Sequence, residues 1–410
     1  MELSRAVGLA GRLRPRRSTL VKVAVAAATA LVVSGCLSLS HAGAGASGGS
    51  TNGPLSPPEA SVAPSVTWHP LADPPLSPRS DSLGVDVGGR VLVLGGSDAT
   101  ESGGPYRPPE LRDGAALDPA TGTWQTVATA PWAPATAAAH VVVGDRLLLA
   151  RNGRGSWLLY DAAADAWRAV PAPPQSVLQP TMAAIGDRVY VEDVYAGESP
   201  APVQVLDLSR MRWSSLPVST NVPLIDERTL LATSSGLVVM GDDLYPRQAG
   251  GHRQPALAEI WDGHDWTRYQ AARVAGLGWH WTGQRVVSEY RVTRAEAARG
   301  GRHDFRAAAF DPASGAWSQL PWLPPGGRGL LEAGWPAAEG TRVFSDGFLY
   351  DDATGTSRPV HPPSPYQDGA QVLTSDALVV VGGSAALPGT PASRVTQLML
   401  TNQAWLLPIG

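Results

Sequence analysis

Short apolar runs separated by polar turns recur along the chain, and seven of them align with one another. They are VLVL from Val91, LLLA from Leu147, VYVE from Val189, LVVM from Leu237, VVSE from Val286, VFSD from Val343 and LVVV from Leu378. Each is followed by a variable loop, a second apolar run, a polar turn, and then Trp with an apolar residue and Pro close behind. Apart from Val23–Val33, no segment keeps an apolar 3.6-residue period for ten residues, so the pattern predicts strands rather than helices.

The turn-and-Trp units can be counted independently of those runs. They read DPATGTW ending at Trp124, DAAADAW at Trp167, DLSRMRW at Trp213, WDGHDW at Trp266 and DPASGAW at Trp317; DDATGTS follows with Ser357 in place of the aromatic, and LTNQAW ends at Trp405. The leading Asp can accept a backbone N–H two residues on, and Gly122, Gly315 or Gly355 can take the φ > 0 position that tightens a hairpin. The indoles Trp124, Trp167, Trp213, Trp266, Trp317 and Trp405 are expected to fill the wedges between neighbouring sheets. Both counts give seven units of three or four strands, recurring at about 40 to 56 residues, as blades of a propeller do.

These units resemble kelch repeats, as in the propeller domain of galactose oxidase, over roughly Trp68 to Trp405. The paired glycines typical of that family match at Gly95–Gly96 and Gly382–Gly383. The resemblance implies an all-β propeller over residues 67–410, seven-bladed, with six or eight blades as alternatives. It also implies closure by a terminal strand, for which Trp68 and Trp405 both qualify: with Trp68 outermost the C-terminal tail packs elsewhere, and with Trp405 outermost the residues before Leu83 merely cover the ring. The copper centre of galactose oxidase needs a tyrosine crosslinked to cysteine, and the single cysteine, Cys36, is placed elsewhere.

The first 35 residues carry Arg5, Arg12, Arg14, Arg16, Arg17 and Lys22 ahead of VAVAAATALVV, the layout of an export signal. LVVSGC resembles a bacterial lipoprotein signal, which implies cleavage before Cys36 and lipid attachment to its thiol. Residues 1–35 are then a signal peptide and 36–66, rich in Gly, Ser, Ala and Pro, a flexible tether. The expected address is the extracytoplasmic face of a membrane, held by lipid. The whole chain carries a net charge of −4, and loss of the signal leaves about −9 with no lysine, which excludes a lysine Schiff base and argues against a nucleic-acid face.

Candidate chemistry lies where the repeats diverge. The fourth position of the aligned runs is Leu94, Ala150, Glu192, Met240, Glu289, Asp346 and Val381, so three blades place a carboxylate where the others are apolar or small. Glu192, Glu289 and Asp346 are either solvated turn residues or a partial ring for a cation or polar ligand. Two longer insertions hold Asp242, Asp243, Tyr245, Arg247 and His252 in the first, and Tyr290, Arg291 and His303 in the second, a mix suited to a sugar or an acidic partner surface. The histidines and acids form no metal signature, and no cofactor fingerprint is present, so no cofactor is expected. Two functions follow: non-catalytic recognition of a glycan, cell-wall component or envelope protein, or a polysaccharide hydrolase or lyase, the latter requiring convergent carboxylates.

Overall fold

Every aligned apolar run becomes the second strand of a four-stranded antiparallel sheet in the computed structural model, which describes residues 67–98, 111–135, 138–153, 155–194, 202–219, 225–243, 256–270, 278–289, 307–324, 337–345, 347–360, 366–367, 369–386 and 398–409. Seven such sheets make a seven-bladed β-propeller. In blades 1 to 6 the four strands follow one another along the chain, as in blade 1 with Leu83–Val87, Arg90–Leu94, Gly114–Asp118 and Thr123–Val127. First strands of successive blades lie side by side: Ala139–Val143, Pro180–Ile185, Ile225–Thr233 and Trp279–Trp281 in one series, Ala337–Glu339, Ala370–Leu373 and Leu83–Val87 in another. The first strands therefore line the axis and the tryptophan-bearing fourth strands form the rim.

The continuous apolar character of the second strands has a direct cause. Side chains alternate between the two faces of a strand, and each blade is covered on both faces by a neighbour. Val91 and Val93 pack with Val379 and Val381 of blade 7, while Leu92 and Leu94 pack with Leu147 and Leu149 of blade 2. Each of the seven hydrophobic clusters fills one of the seven seams between blades.

Tryptophan occupies six of those seams, four of them under one geometric rule. Trp124 Nε1 donates to Ala72 O at 2.8 Å, Trp167 to Ala128 O at 2.8 Å, Trp213 to Pro171 O at 2.9 Å and Trp266 to Pro217 O at 2.9 Å. In each case the acceptor lies four residues beyond the tryptophan of the preceding blade, counting Trp68 as that of blade 7. Trp317 and Trp68 pack in their own seams, and the seam between blades 5 and 6 holds buried Ser357 instead. Trp213→Phe is expected to lower stability by about 1–2 kcal/mol through the lost hydrogen bond and contact area. Trp405→Phe should cost less than half of that in the same chemical denaturation series.

That contrast follows from how the ring closes. Blade 7 consists of Ala370–Leu373, Ala377–Val381, Ala404–Pro408 and, outermost, His69–Pro70 from the other end of the chain. His69 pairs with Leu406 and Pro70 with Trp405. Neither expected form of closure is correct as stated: the N-terminal segment does supply the outer strand, but the C-terminal segment supplies the third. Trp405 thus corresponds to no seam anchor and belongs to none of the seven clusters, whereas Trp68 takes that place. The segments that carry Trp68 and Trp405 are neighbouring strands of one blade.

The turns follow the chemistry expected of them. Asp118, Asp161, Asp262, Asp311 and Asp351 each accept the N–H two residues on. Gly122, Gly315 and Gly355 lie at φ 70, 71 and 68°, and Asp165 and Met211 hold the same left-handed place at φ 45 and 51°. The two glycine pairs are conformational copies, at φ 62 and 93° for Gly95–Gly96 and 66 and 93° for Gly382–Gly383. The second glycine N–H of each pair reaches into the next blade, to Pro134 O at 3.0 Å and to Arg79 O at 2.6 Å. A Cβ on Gly95 would collide with the Pro134 carbonyl, so glycine is required by close approach as well as by φ. Among the described residues no helix is long and apolar enough to cross a membrane.

Candidate functional site

Antiparallel strands send their connections alternately to two ends of the ring. At one end, first strands turn into second strands within a few residues, as at Gly88–Gly89 and Gly144–Asp145, and third strands turn into fourth through the Asp-led cassettes. At the other end lie the long connections, from Leu94 to Gly114, Asp193 to Gln204, Asp243 to Ala256 and Ser288 to Ala308. A short extra sheet of Tyr366–Gln367, Ser384–Ala386 and Leu398–Leu400 extends blade 7 at this end. Glu192 and Glu289 stand there too, at the ends of second strands, so the repeat comparison identifies the variable end of the ring.

Neither acid is freely solvated, and each has a partner of its own. Glu192 lies inside its strand at 5 % exposure and makes an ion pair with Arg228, itself 5 % exposed, across the seam from blade 3 to blade 4. A register shift between Asp226 and Thr229 takes Arg228 out of the regular ladder, and its N–H donates to Val194 O at 3.1 Å, which sets the guanidinium against blade 3. Glu259, also buried, accepts from Ser219 Oγ at 3.3 Å. Burial raises the Glu259 carboxyl above its ordinary range, against that hydrogen bond and the Arg268 and Arg228 charges. Burial likewise pulls Arg228 down to about 10, with Glu259 opposing, so it stays charged at neutral pH.

Glu289 follows the end of its strand, half-buried, with His280 Nε2 2.9 Å from its Oε2. Its carboxyl lies over Gly278, whose φ of 57° and missing side chain leave room for it, and its N–H donates to Gly278 O at 2.8 Å. Beside it a cleft lined by Ser288, Leu323, Ser345 and Tyr350 has about 10 Å³ of free space, room for roughly one water.

No protein-family model matches the chain, and no curated protein matches it.

Asp242 and Asp243 sit in the second strand of blade 4, paired through the backbone with Asp226 and Ile225. Asp346, Tyr245, Arg247, His252, Tyr290, Arg291, His303 and Cys36 lie outside the described residues. Among the described residues no group of three or more His, Cys, Asp or Glu side chains could hold a metal ion.

Three polar features escaped the sequence reading. Arg228 carried a signal: a lone arginine before TLLAT, in a run otherwise turning apolar. Asp352, the second aspartate of DDATGTS, is buried between blades 5 and 6, where it accepts from Thr282 Oγ1 at 2.8 Å, Tyr350 Oη at 2.8 Å and the Arg285 guanidinium. Arg79 precedes the first repeat and no repeat comparison reaches it. It is 2 % exposed and ties Ser77, Gly95 and Asp113 together at the seam where the chain ends meet.

Proposed function

We propose that the protein is an exported, lipid-anchored propeller that recognises a glycan, cell-wall component or envelope protein through the face bearing its long connections, without chemistry of its own. One observation carries the reading: the two described acids of the aligned runs are each engaged separately, Glu192 with Arg228 between blades 3 and 4, and Glu289 with His280 beside the seam of blades 5 and 6. Glycoside cleavage needs two carboxylates about 5 to 9 Å apart across one sugar bond, and cleft space of about 10 Å³ beside Glu289 admits no sugar. Recognition asks only for a rigid ring with varied loops, which the seam packing supplies. The kelch likeness and the Cys36 anchor belong to this reading as its finer statements.

The test uses the chain from residue 37, immobilised and offered purified cell-wall polysaccharides and envelope fractions. Retention of one polymer, lost when residues 244–255 and 290–306 are replaced by Gly/Ser linkers, is the expected result. Turnover of a retained polymer, or retention indifferent to both loops, overturns it. In the full-length chain Cys36→Ser should abolish incorporation of a labelled fatty acid.

A further inference from the structure

Blade 4 departs from the ring at the short-turn end. In blades 1, 2, 3, 5 and 6 six residues separate the paired seam positions Leu117 and Trp124, Tyr160 and Trp167, Leu206 and Trp213, Phe310 and Trp317, and Tyr350 and Ser357. In blade 4 only four separate Trp261 from Trp266. The shorter turn, Asp262–Asp265, leaves uncovered the mouth of the wedge that the longer cassettes close elsewhere. Gly236, with no side chain and with φ of 121°, lies against the Trp261 carbonyl and opens the same corner. The result is a pocket of about 440 Å³ between blades 3 and 4, within the range of small-molecule sites.

Its wall is aromatic and its rim polar. Trp261 and Trp266 pack with ring centroids 5.4 Å apart, both only partly buried, and Trp261 lines the pocket with Tyr190 and Leu216. At the rim stand Arg188, Ser214 and Asp262, all exposed. Arg188, the Tyr190 hydroxyl and the Ser214 hydroxyl have no hydrogen-bond or ion-pair partner among the described residues. Asp262 receives the His264 and Asp265 N–H groups on Oδ1, which leaves Oδ2 as an acceptor. Asp207 also lines the pocket, but Ser209 Oγ and the Arg210 guanidinium engage its carboxylate, so the lining offers one unpaired cation and one available carboxylate oxygen, which suits neither a net anion nor a net cation. It suits a neutral ligand whose many hydroxyls both donate and accept, and whose flat apolar side can lie on an indole.

We propose that this pocket binds one or two neutral sugar residues, the ring against Trp261, with hydroxyls accepting from Arg188 and Tyr190 and donating to Asp262. The proposal shares its ligand class with the glycan reading above but sits at the opposite end of the ring, so either can fail alone.

The test labels the chain from residue 37 with 5-fluorotryptophan, assigns the Trp261 resonance with Trp261→Phe, and titrates methyl glucoside, N-acetylglucosamine and glucuronate. A saturable shift of the Trp261 line with a neutral sugar is expected, weakened about tenfold by Arg188→Ala, as for one hydrogen bond to a charged group. Ser214→Tyr, an exposed substitution that fills the pocket, should abolish it. The idea is overturned if no neutral sugar moves that line, if glucuronate alone does, or if the shift survives both Arg188→Ala and Ser214→Tyr.

Discussion

Arg79→Ala is expected to lower the unfolding free energy by about 3–4 kcal/mol, from the loss of its buried charge-assisted hydrogen bonds to Gly95 O and Asp113. For a ring of this size that is a fall in Tm of about 5 °C. The guanidinium donates to Ser77 O and Ser77 Oγ, to Gly95 O, and as a two-pronged fork to both Asp113 oxygens at 2.8 and 2.9 Å. Its backbone is committed as well: Arg79 N–H donates to Thr401 O and its carbonyl accepts from Gly383 N–H, so one residue fastens blade 1 to blade 7. Alanine keeps those backbone bonds but leaves the Gly95 carbonyl with Ser82 Oγ, at 3.2 Å, as its side-chain donor. Asp113→Asn should cost much less, about 1 kcal/mol, because Asp113 is half exposed and water replaces part of what is lost.

The sign of the pH dependence distinguishes this account from a packing defect. Arg79 lowers the Asp113 pKa, first through the hydrogen bond and, against the opposing effect of burial, also through charge. A carboxyl depressed in the folded state contributes stability above its unfolded pKa, about 3.9, and loses it as pH falls through the lower folded value. The gap between wild type and Arg79→Ala should accordingly narrow below about pH 4 in denaturant titrations. A gap constant from pH 7 to pH 3 would assign the effect to packing alone.

The blade count was legible because burial on both faces forces an unbroken apolar run, and such a run is recognisable wherever it recurs. Val91–Leu94 and Leu378–Val381 read alike for that reason, and their flanking glycine pairs read alike because both need the same left-handed backbone where the chain approaches the next blade. The closure was misread through Trp405, since a C-terminal tryptophan after a short polar turn looks the same whether it ends a third strand or a fourth. The distinguishing fact, pairing with Pro70, depends on residues more than three hundred positions away. The carboxylates were found and their partners were not. Repeat alignment locates Glu192 but carries no information on Arg228, which comes from a different blade and through an irregular ladder. Arg79 and the shortened turn of blade 4 share that difficulty, because the first belongs to no repeat and the second differs by a deletion inside one.

Arg228→Met is expected to cost about 3–5 kcal/mol at neutral pH, not because methionine packs badly but because it strands buried acids. Glu192 and Glu259 are 5 and 3 % exposed, and neither can recover its lost partner from water without opening the seam. Glu259 already sits above its ordinary pKa through burial. A carboxyl raised in the folded state loses stability as pH climbs from its unfolded value, about 4.3, through the higher folded one, and removing the cation drives the folded value higher still. The variant should therefore regain stability relative to wild type as pH drops from 7 towards 4.5, opposite in origin to the narrowing at Arg79, where the wild type loses its advantage. Combining Arg228→Met with Glu192→Gln and Glu259→Gln removes all three buried charges and should restore most of the deficit at pH 7. If the triple variant is no better than the single one, the seam depends on the shape of the arginine rather than its charge. This measurement also governs how binding data at Glu192 are read: Glu192→Gln that loses a ligand together with several degrees of Tm reports on the seam, and only a loss at unchanged Tm would return Glu192 to the recognition face.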